Sequence, residues 1–327
     1  YGKDTETIEW IYKTDKTLFI YGIGQMKEYS ETATKTWNTK KEECEHIEID
    51  ENIETITKQS FKDFIKVQDI RIPTTVKSIG EYILRGCIAL GQIIVTNGNG
   101  NYSSDANGVL YHTSLKTLLQ YPLGKQTITE YSIPSGVEII EEYAFEKAQH
   151  LTSISIENEV TTLKNYSFQN ITTLKTVRIG NTVKTIGTYV FTYCSSLESF
   201  TVVENNEKYK SIEGVLFDST SLIHYPQQKK DVRYTIPDGY KEIKGYAFHN
   251  NQYLDYIKFN DNITSIKEHA FDGVNKVETI TLPASVNSIE TKAFVMSSLR
   301  LVVARGNTAI TCNENVFVTT SPNLRIY

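Results

Sequence analysis

Methionine and tryptophan are nearly absent from this 327-residue chain, with two of each, and proline (seven) and cysteine (four) are sparse. The cysteines, Cys44, Cys87, Cys194 and Cys312, form no C-x-x-C pair, so nothing supports a zinc site or a thioredoxin-like motif. Four of them in a chain of this length also do not make a disulfide framework. Long apolar runs are missing. The longest are a few residues, whereas a spanning helix needs about 20, and no membrane insertion by this segment is expected. No signal peptide is visible and the chain opens at Tyr1, so targeting and anchoring segments are expected to lie outside it. Charge of one sign is also lacking. A net charge of -5 argues against a nucleic-acid partner, which would require a basic stripe. Against these absences, 39% hydrophobic and 22% charged residues predict a folded chain with a substantial core.

Catalytic and cofactor signatures are missing as well. His46, His112, His150, His224, His249 and His269 include no H-x-x-x-H pair, and surface positions are expected for most of them. No G-x-S-x-G elbow occurs. Gly98, Gly100 and Ser103 faintly resemble a phosphate loop, but no helix-forming segment follows. Asp105-x-Asn107-Gly108 resembles the middle of a calcium loop, yet Ser114 stands where the closing acid belongs. No column of the chain supplies the facing carboxylates of a glycosidase. Neither a cofactor nor a metal is expected, and the chain is not read as an enzyme.

What the chain does contain is a period of 23 residues. Phe145, Phe168 and Phe191 are spaced by it. So are Leu151, Leu174 and Leu197, and likewise Ile133, Ile156, Ile179 and Val202. The same step links Ile49, Ile72 and Val95 before these, and Phe248, Phe271 and Phe294 after them. Several columns in one phase mark a repeat architecture. Within a unit, Ile154-x-Ile156 alternates as one face of a short strand. The spacing Leu163, Phe168, Ile171 is closer to helical and predicts a short helix or 3₁₀ turn. One unit cannot bury its own apolar face, so the units must stack. Cys87 and Cys194 share an apolar column and are expected as buried free thiols.

The phase breaks twice. Val95 to Ile133 is 38 residues and Val202 to Ile236 is 34, each longer than one period. Both breaks hold a similar insert, with Gly108-Val109-Leu110-Tyr111 and Tyr121-Pro122 in one, and Gly214-Val215-Leu216-Phe217 and Tyr225-Pro226 in the other. Each reads as two β-prone runs around a polar turn, a candidate hairpin.

These residues resemble a known family. Ile133-Pro134, Val137, Ile140 and Tyr143-Ala144-Phe145 look like the repeat of BspA-like leucine-rich-repeat surface proteins, and Tyr193-Cys194-Ser195-Ser196-Leu197 is close to that repeat's usual end. The inserts are similar to the family's hairpin. Trp10, the run from Thr17 to Met26 and Trp37 resemble the module that often precedes it. The asparagine of leucine-rich repeats is mostly missing, its column holding Asn52, Thr75, Gly136, Glu159, Thr182, Gly239, Asn262 and Ser285. The expected fold is an α/β repeat solenoid: a leucine-rich-repeat-like, right-handed array. Short parallel strands would line its concave face, short helical or 3₁₀ turns its convex side. Residues 1–45 would form an N-terminal β-rich cap and 46–327 the solenoid, with hairpin inserts near 98–125 and 205–230.

The resemblance implies an extracellular or cell-surface binding and adhesion ectodomain in a host-microbe setting, with a protein or glycoprotein ligand on host matrix or cells. A structural spacer or self-association module is the alternative, and oligomeric state is left open. The outward strand positions nominate Arg71, Ser155, Arg178, Thr201, Thr235, Tyr256, Lys258 and Thr281 as a ligand-binding face. Ser and Thr also suit exposed sheet positions whether or not anything binds. The inserts are the rival site. Four N-x-S/T sequons, at Asn101, Asn165, Asn170 and Asn262, match chance for this composition.

Overall fold

The alternating pair of each unit becomes a strand. In the computed structural model, which describes residues 1–30, 33–114, 116–156, 159–318 and 324–327, strand Ser153–Ile156 buries Ile154 and Ile156 and turns Ser153 and Ser155 outward. It pairs in parallel with Thr176–Ile179, Ser153 opposite Thr176 and Ile156 opposite Ile179, a register of one period. Thr176–Ile179 repeats this pairing with Ser199–Val202. In-register stacking brings every column onto its own counterpart, so an apolar column becomes a continuous buried stripe. A second ladder follows, mostly of two-residue strands, as in Ile139–Ile140, Thr162–Leu163 and Thr185–Ile186. The result is a β-solenoid of about 12 coils.

The chain divides into two compact units. The first comprises Tyr1–Leu151, Glu159–Ile171 and Thr185–Val190; the second comprises Thr152–Asn158, Thr172–Lys184 and Phe191–Tyr327. In the first unit, antiparallel strands Gly2–Lys3, Ile8–Tyr12 and Thr17–Gly22 lead into the parallel series His46–Ile49, Asp69–Ile72 and Gln92–Val95. Trp10, Trp37 and Cys44 share one core with Phe61, Phe64 and Leu84. In the second unit, a core from Val215 to Val316 surrounds a file of rings. Tyr225, Phe248, Phe271, Phe294 and Phe317 stack with centroids 5.0, 4.9, 5.1 and 5.4 Å apart. The first unit has the same file in Tyr121, Phe145 and Phe168, at 4.9 and 4.8 Å.

The expected helical turns are corrected. Among the described residues the only helix is the 3₁₀ turn Asn38–Lys40. The reason lies in where the backbone N–H groups point. In the turn carrying Phe145, Ala144, Glu146 and Ala148 donate locally, to Glu141, Tyr143 and Phe145, at 3.2, 3.0 and 3.0 Å. The alternate groups, Phe145 and Lys147, donate instead to Ser167 and Gln169 of the next coil, at 2.8 and 3.1 Å. Phe248 and Phe271 do the same toward Ala270 and Ala293, each at 2.8 Å. An α-helix would need all of these donors for itself. Left-handed residues at two points of most turns, Tyr143 (φ 59°) and Lys147 (φ 67°) here, aim the donors outward along the stack. That conformation disfavours a side chain with Cβ by about 1–2 kcal/mol, and the cross-coil bonds and ring stacking offset it.

The inserts have three strands rather than two. Tyr102–Ser104, Leu110–His112 and Thr117–Gln120 run antiparallel, and the third then pairs in parallel with Ile139–Ile140 as a member of the second ladder. Tyr209–Ile212, Val215–Asp218 and Ser221–His224 repeat this arrangement, the third against Glu242–Ile243. Tyr121 and Tyr225, which follow these third strands, take the phenylalanine position of the ring files. One asparagine anchors each insert. Asn206 Nδ2 donates to the carbonyls of Gly180 and Val183 at 2.7 and 3.1 Å, while its Oδ1 accepts from Lys208 and Tyr209, both at 2.8 Å. Asn99 makes the equivalent bonds to Pro73, Val76, Asn101 and Tyr102. At the first hairpin's turn, Gly108 sits at φ +76°, and a Cβ there would lie 2.8 Å from Gln92 Cα.

Candidate functional site

All eight nominated residues sit on first-ladder strands and point away from the core. Arg71, Arg178, Thr201, Thr235, Tyr256 and Lys258 are exposed, and Ser155 and Thr281 are half-buried. They do not form one chemical face. Arg71 belongs to the first unit, where the outward positions carry both signs of charge. Arg71 lies opposite Glu48, and its own strand carries Asp69. Asp69 holds the His46 ring at 2.7 Å, and Lys13 reaches Glu48 at 2.8 Å.

The other seven lie in the second unit. Arg178 lies between Ser155 and Thr201 in register. Thr235 lies opposite Lys258, and Tyr256 opposite Arg233. The Arg233 guanidinium covers the Tyr256 ring at 4.8 Å, which fixes both side chains over the sheet. Arg233 belongs with the nominated residues by geometry. Thr176 and Ser153 join by a 3.0 Å hydrogen bond on the same face.

The rival site at the first insert forms an open cavity of about 380 Å³ lined by Ser103, Asp105, Tyr111, His112, Lys116 and Ser135, among others. Its charged groups are engaged locally. Asp105 Oδ1 accepts the N–H groups of Asn107 and Val109, both at 2.9 Å, and Oδ2 accepts the Tyr111 hydroxyl at 3.0 Å. Lys116 pairs with Glu138. That arrangement closes a turn rather than presenting groups to a ligand.

Two features escaped the sequence. In the first unit, Tyr143, Tyr166 and Tyr189 stack at 4.9 and 5.3 Å on the turn side, with Tyr82 edge-on to Tyr143 at 5.1 Å. Arg85 covers Tyr143 at 3.6 Å and binds Glu146 through two bonds of 2.6 and 3.0 Å. The 23-residue spacing of these tyrosines was the available signal. The second feature is histidine burial. His224 and His249 are each 4% exposed, so they stand apart from the other four histidines, which are half-buried. His224 lies on an insert strand under the Phe200 ring, and burial pushes its pKa down to about 3, with His249 adding to the shift. Burial likewise lowers the pKa of His249, whose Nδ1 accepts from Gln227 at 3.1 Å.

The thiols behave as packing groups. Cys44, Cys87 and Cys194 are buried and Cys312 is exposed. Burial pushes the Cys44 thiol up to about 11 and raises Cys87 as well, the reverse of what a reactive thiol requires.

The BspA type leucine rich repeat region matches residues 38–118, 116–233 and 227–325. The chain belongs to that family. Its fold is shared with solved bacterial structures of low identity. The pneumococcal vaccine antigen PcpA is 19% identical, with 99% of this chain and 90% of that one covered and a TM-score of 0.59. A leucine rich cell surface protein from Faecalibacterium prausnitzii is 19% identical over 93% and 88%, with a TM-score of 0.58. A leucine-rich repeat protein from Eubacterium ventriosum is 20% identical over 90% and 94%, with a TM-score of 0.53. No curated protein sequence matches the chain at a significant level.

Proposed function

We propose that this chain is the binding region of a bacterial cell-surface protein, non-catalytic, taking a protein or glycoprotein ligand of a host matrix or cell on the outward positions of its first ladder. The observation that carries the reading is the division of labour within each strand. In Thr176–Ile179 the two inward residues are buried and the two outward ones exposed, so the outward columns are not required by the core. The same alternation recurs at Arg233–Thr235 and Tyr256–Lys258. Support for a surface location comes from the relatives, one described as a leucine rich cell surface protein and one as a vaccine antigen.

The test is saturable binding of the purified chain to immobilised fibronectin, fibrinogen, mucin and cultured epithelial cells. Binding to at least one is expected. Absence of binding to every member refutes the reading and favours a spacer role.

A further inference from the structure

We infer that the first-ladder face of the second unit docks a linear sulfated polysaccharide, an inference that rests on the reading of the chain as a binding region. The charge pattern carries it. The outward positions of the strands from Ser153–Ile156 to Thr279–Leu282 are Ser153, Ser155, Thr176, Arg178, Ser199, Thr201, Arg233, Thr235, Tyr256, Lys258, Thr279 and Thr281. Three are cations, none is an acid, and eight are hydroxyl residues beside a single tyrosine. This is the reverse of the chain as a whole, which carries -5. Acids stand instead at the strand entrances, at Glu198, Asp255 and Glu278, and at Glu213 in the insert turn beside Ser199–Val202.

The densest part is the pair of strands Arg233–Thr235 and Tyr256–Lys258. Neither Arg233 nor Lys258 has an ion pair with a described residue, and both are exposed. Arg233 rests on Tyr256, which orders the guanidinium while leaving its N–H edge for an oxyanion. Thr235 beside Lys258, and Thr279 and Thr281 on the following strand, supply hydroxyls for a sugar chain. Paired strands advance by about 4.8 Å, similar to the length of one sugar residue in an extended chain. A polymer lying across Arg233–Thr235, Tyr256–Lys258 and Thr279–Leu282 meets a hydroxyl or a cation at each step, while the second insert's turn at Glu213 and Gly214, whose carbonyl accepts the Phe200 N–H, takes the place beside Ser199–Val202. Arg233 and Lys258 stand on adjacent strands, so a chain with an anionic group on every sugar, as heparin has, can meet both, whereas hyaluronan, with a carboxylate only on every second sugar, is the poorer match.

The experiment measures binding of the chain to immobilised heparin, hyaluronan and dextran from about 0.05 to about 0.5 M salt. Saturable, salt-sensitive binding to heparin alone is expected. The double variant Arg233→Ser with Lys258→Ser should weaken it about tenfold or more, since both lost cations are exposed and unpaired among the described residues. Arg71→Ser should bind as the parent does, and the thermal midpoints of all three should agree. Equal binding to heparin and hyaluronan, or a double variant that binds heparin as the parent does, overturns the inference. Binding to the host-protein panel without binding to heparin overturns it and leaves the wider reading intact. Binding to nothing overturns both.

Discussion

Replacing His224 with phenylalanine should remove a large part of the protein's sensitivity to acid. His224 is buried, its Nε2 finds no partner among the described residues, and the Phe200 ring packs on it edge-first at 5.6 Å. Its pKa falls from 6.5 to about 3, through burial first and the neighbouring His249 second. The sign follows from proton linkage. Between those two values the unfolded chain holds a proton at this site that the folded chain refuses. Stability is therefore fully present above pH 6.5 and declines as the pH falls toward 3. At pH 5 the loss from this one side chain is about 2 kcal/mol, at about 1.4 kcal/mol per pH unit below the unfolded value. His249, also lowered by burial, acts in the same direction and stays in place. The assay is urea unfolding at neutral pH and at pH 5 for parent and His224→Phe, followed by circular dichroism, because Trp10 and Trp37 both report on the N-terminal segment. The variant's loss between the two conditions should be smaller by about 2 kcal/mol. The same pH dependence in both proteins would refute the burial argument.

Two tyrosines in equivalent ring positions should respond oppositely to loss of their hydroxyls. The Tyr121 hydroxyl is buried without a partner among the described residues, whereas that of Tyr225 donates to Asp231 at 2.9 Å. Thermal melts should show Tyr121→Phe stabilised and Tyr225→Phe destabilised, each by about 1 kcal/mol. Asn206→Ala removes all four bonds that anchor the second insert, leaving the Gly180 and Val183 carbonyls without this donor. A loss of about 2 kcal/mol is expected, with faster amide exchange at Lys208 and Tyr209 as the local signature. Phe271→Ala opens a hole between two stacked rings and should cost about 3–5 kcal/mol in chemical denaturation.

The period, the strand faces and the buried Cys87 and Cys194 were legible in the sequence because stacking forces each column to repeat one environment. The turn conformation was not. Phe145 and Phe168 enter the core at spacings that suit a helix, and only the partners of their N–H groups, more than twenty residues ahead, decide against one. The burial of His224 was not legible because its counterpart in the other insert is Gln120, also a polar residue, which gives no sign that the position is buried. The tyrosine stack was hidden by residue preference, since Tyr143, Tyr166 and Tyr189 all adopt a positive φ that tyrosine rarely takes. The nominated face was legible as a list of outward positions. Its division into a mixed-charge set around Arg71 and an acid-free set around Arg178 and Lys258 required the strand pairing, which assigns each charge its neighbours.

Binding is assigned to the outward columns of the first ladder. The most direct measurement compares attachment to the best ligand surface by two double variants with equal charge change. One replaces Arg233 and Lys258 with serine on the ladder face; the other replaces Lys208 and Lys210 with serine on the second insert. The first should lose most of its attachment while the second keeps it, both with the parent's melting temperature. Attachment lost by the insert variant and kept by the ladder variant would contradict it.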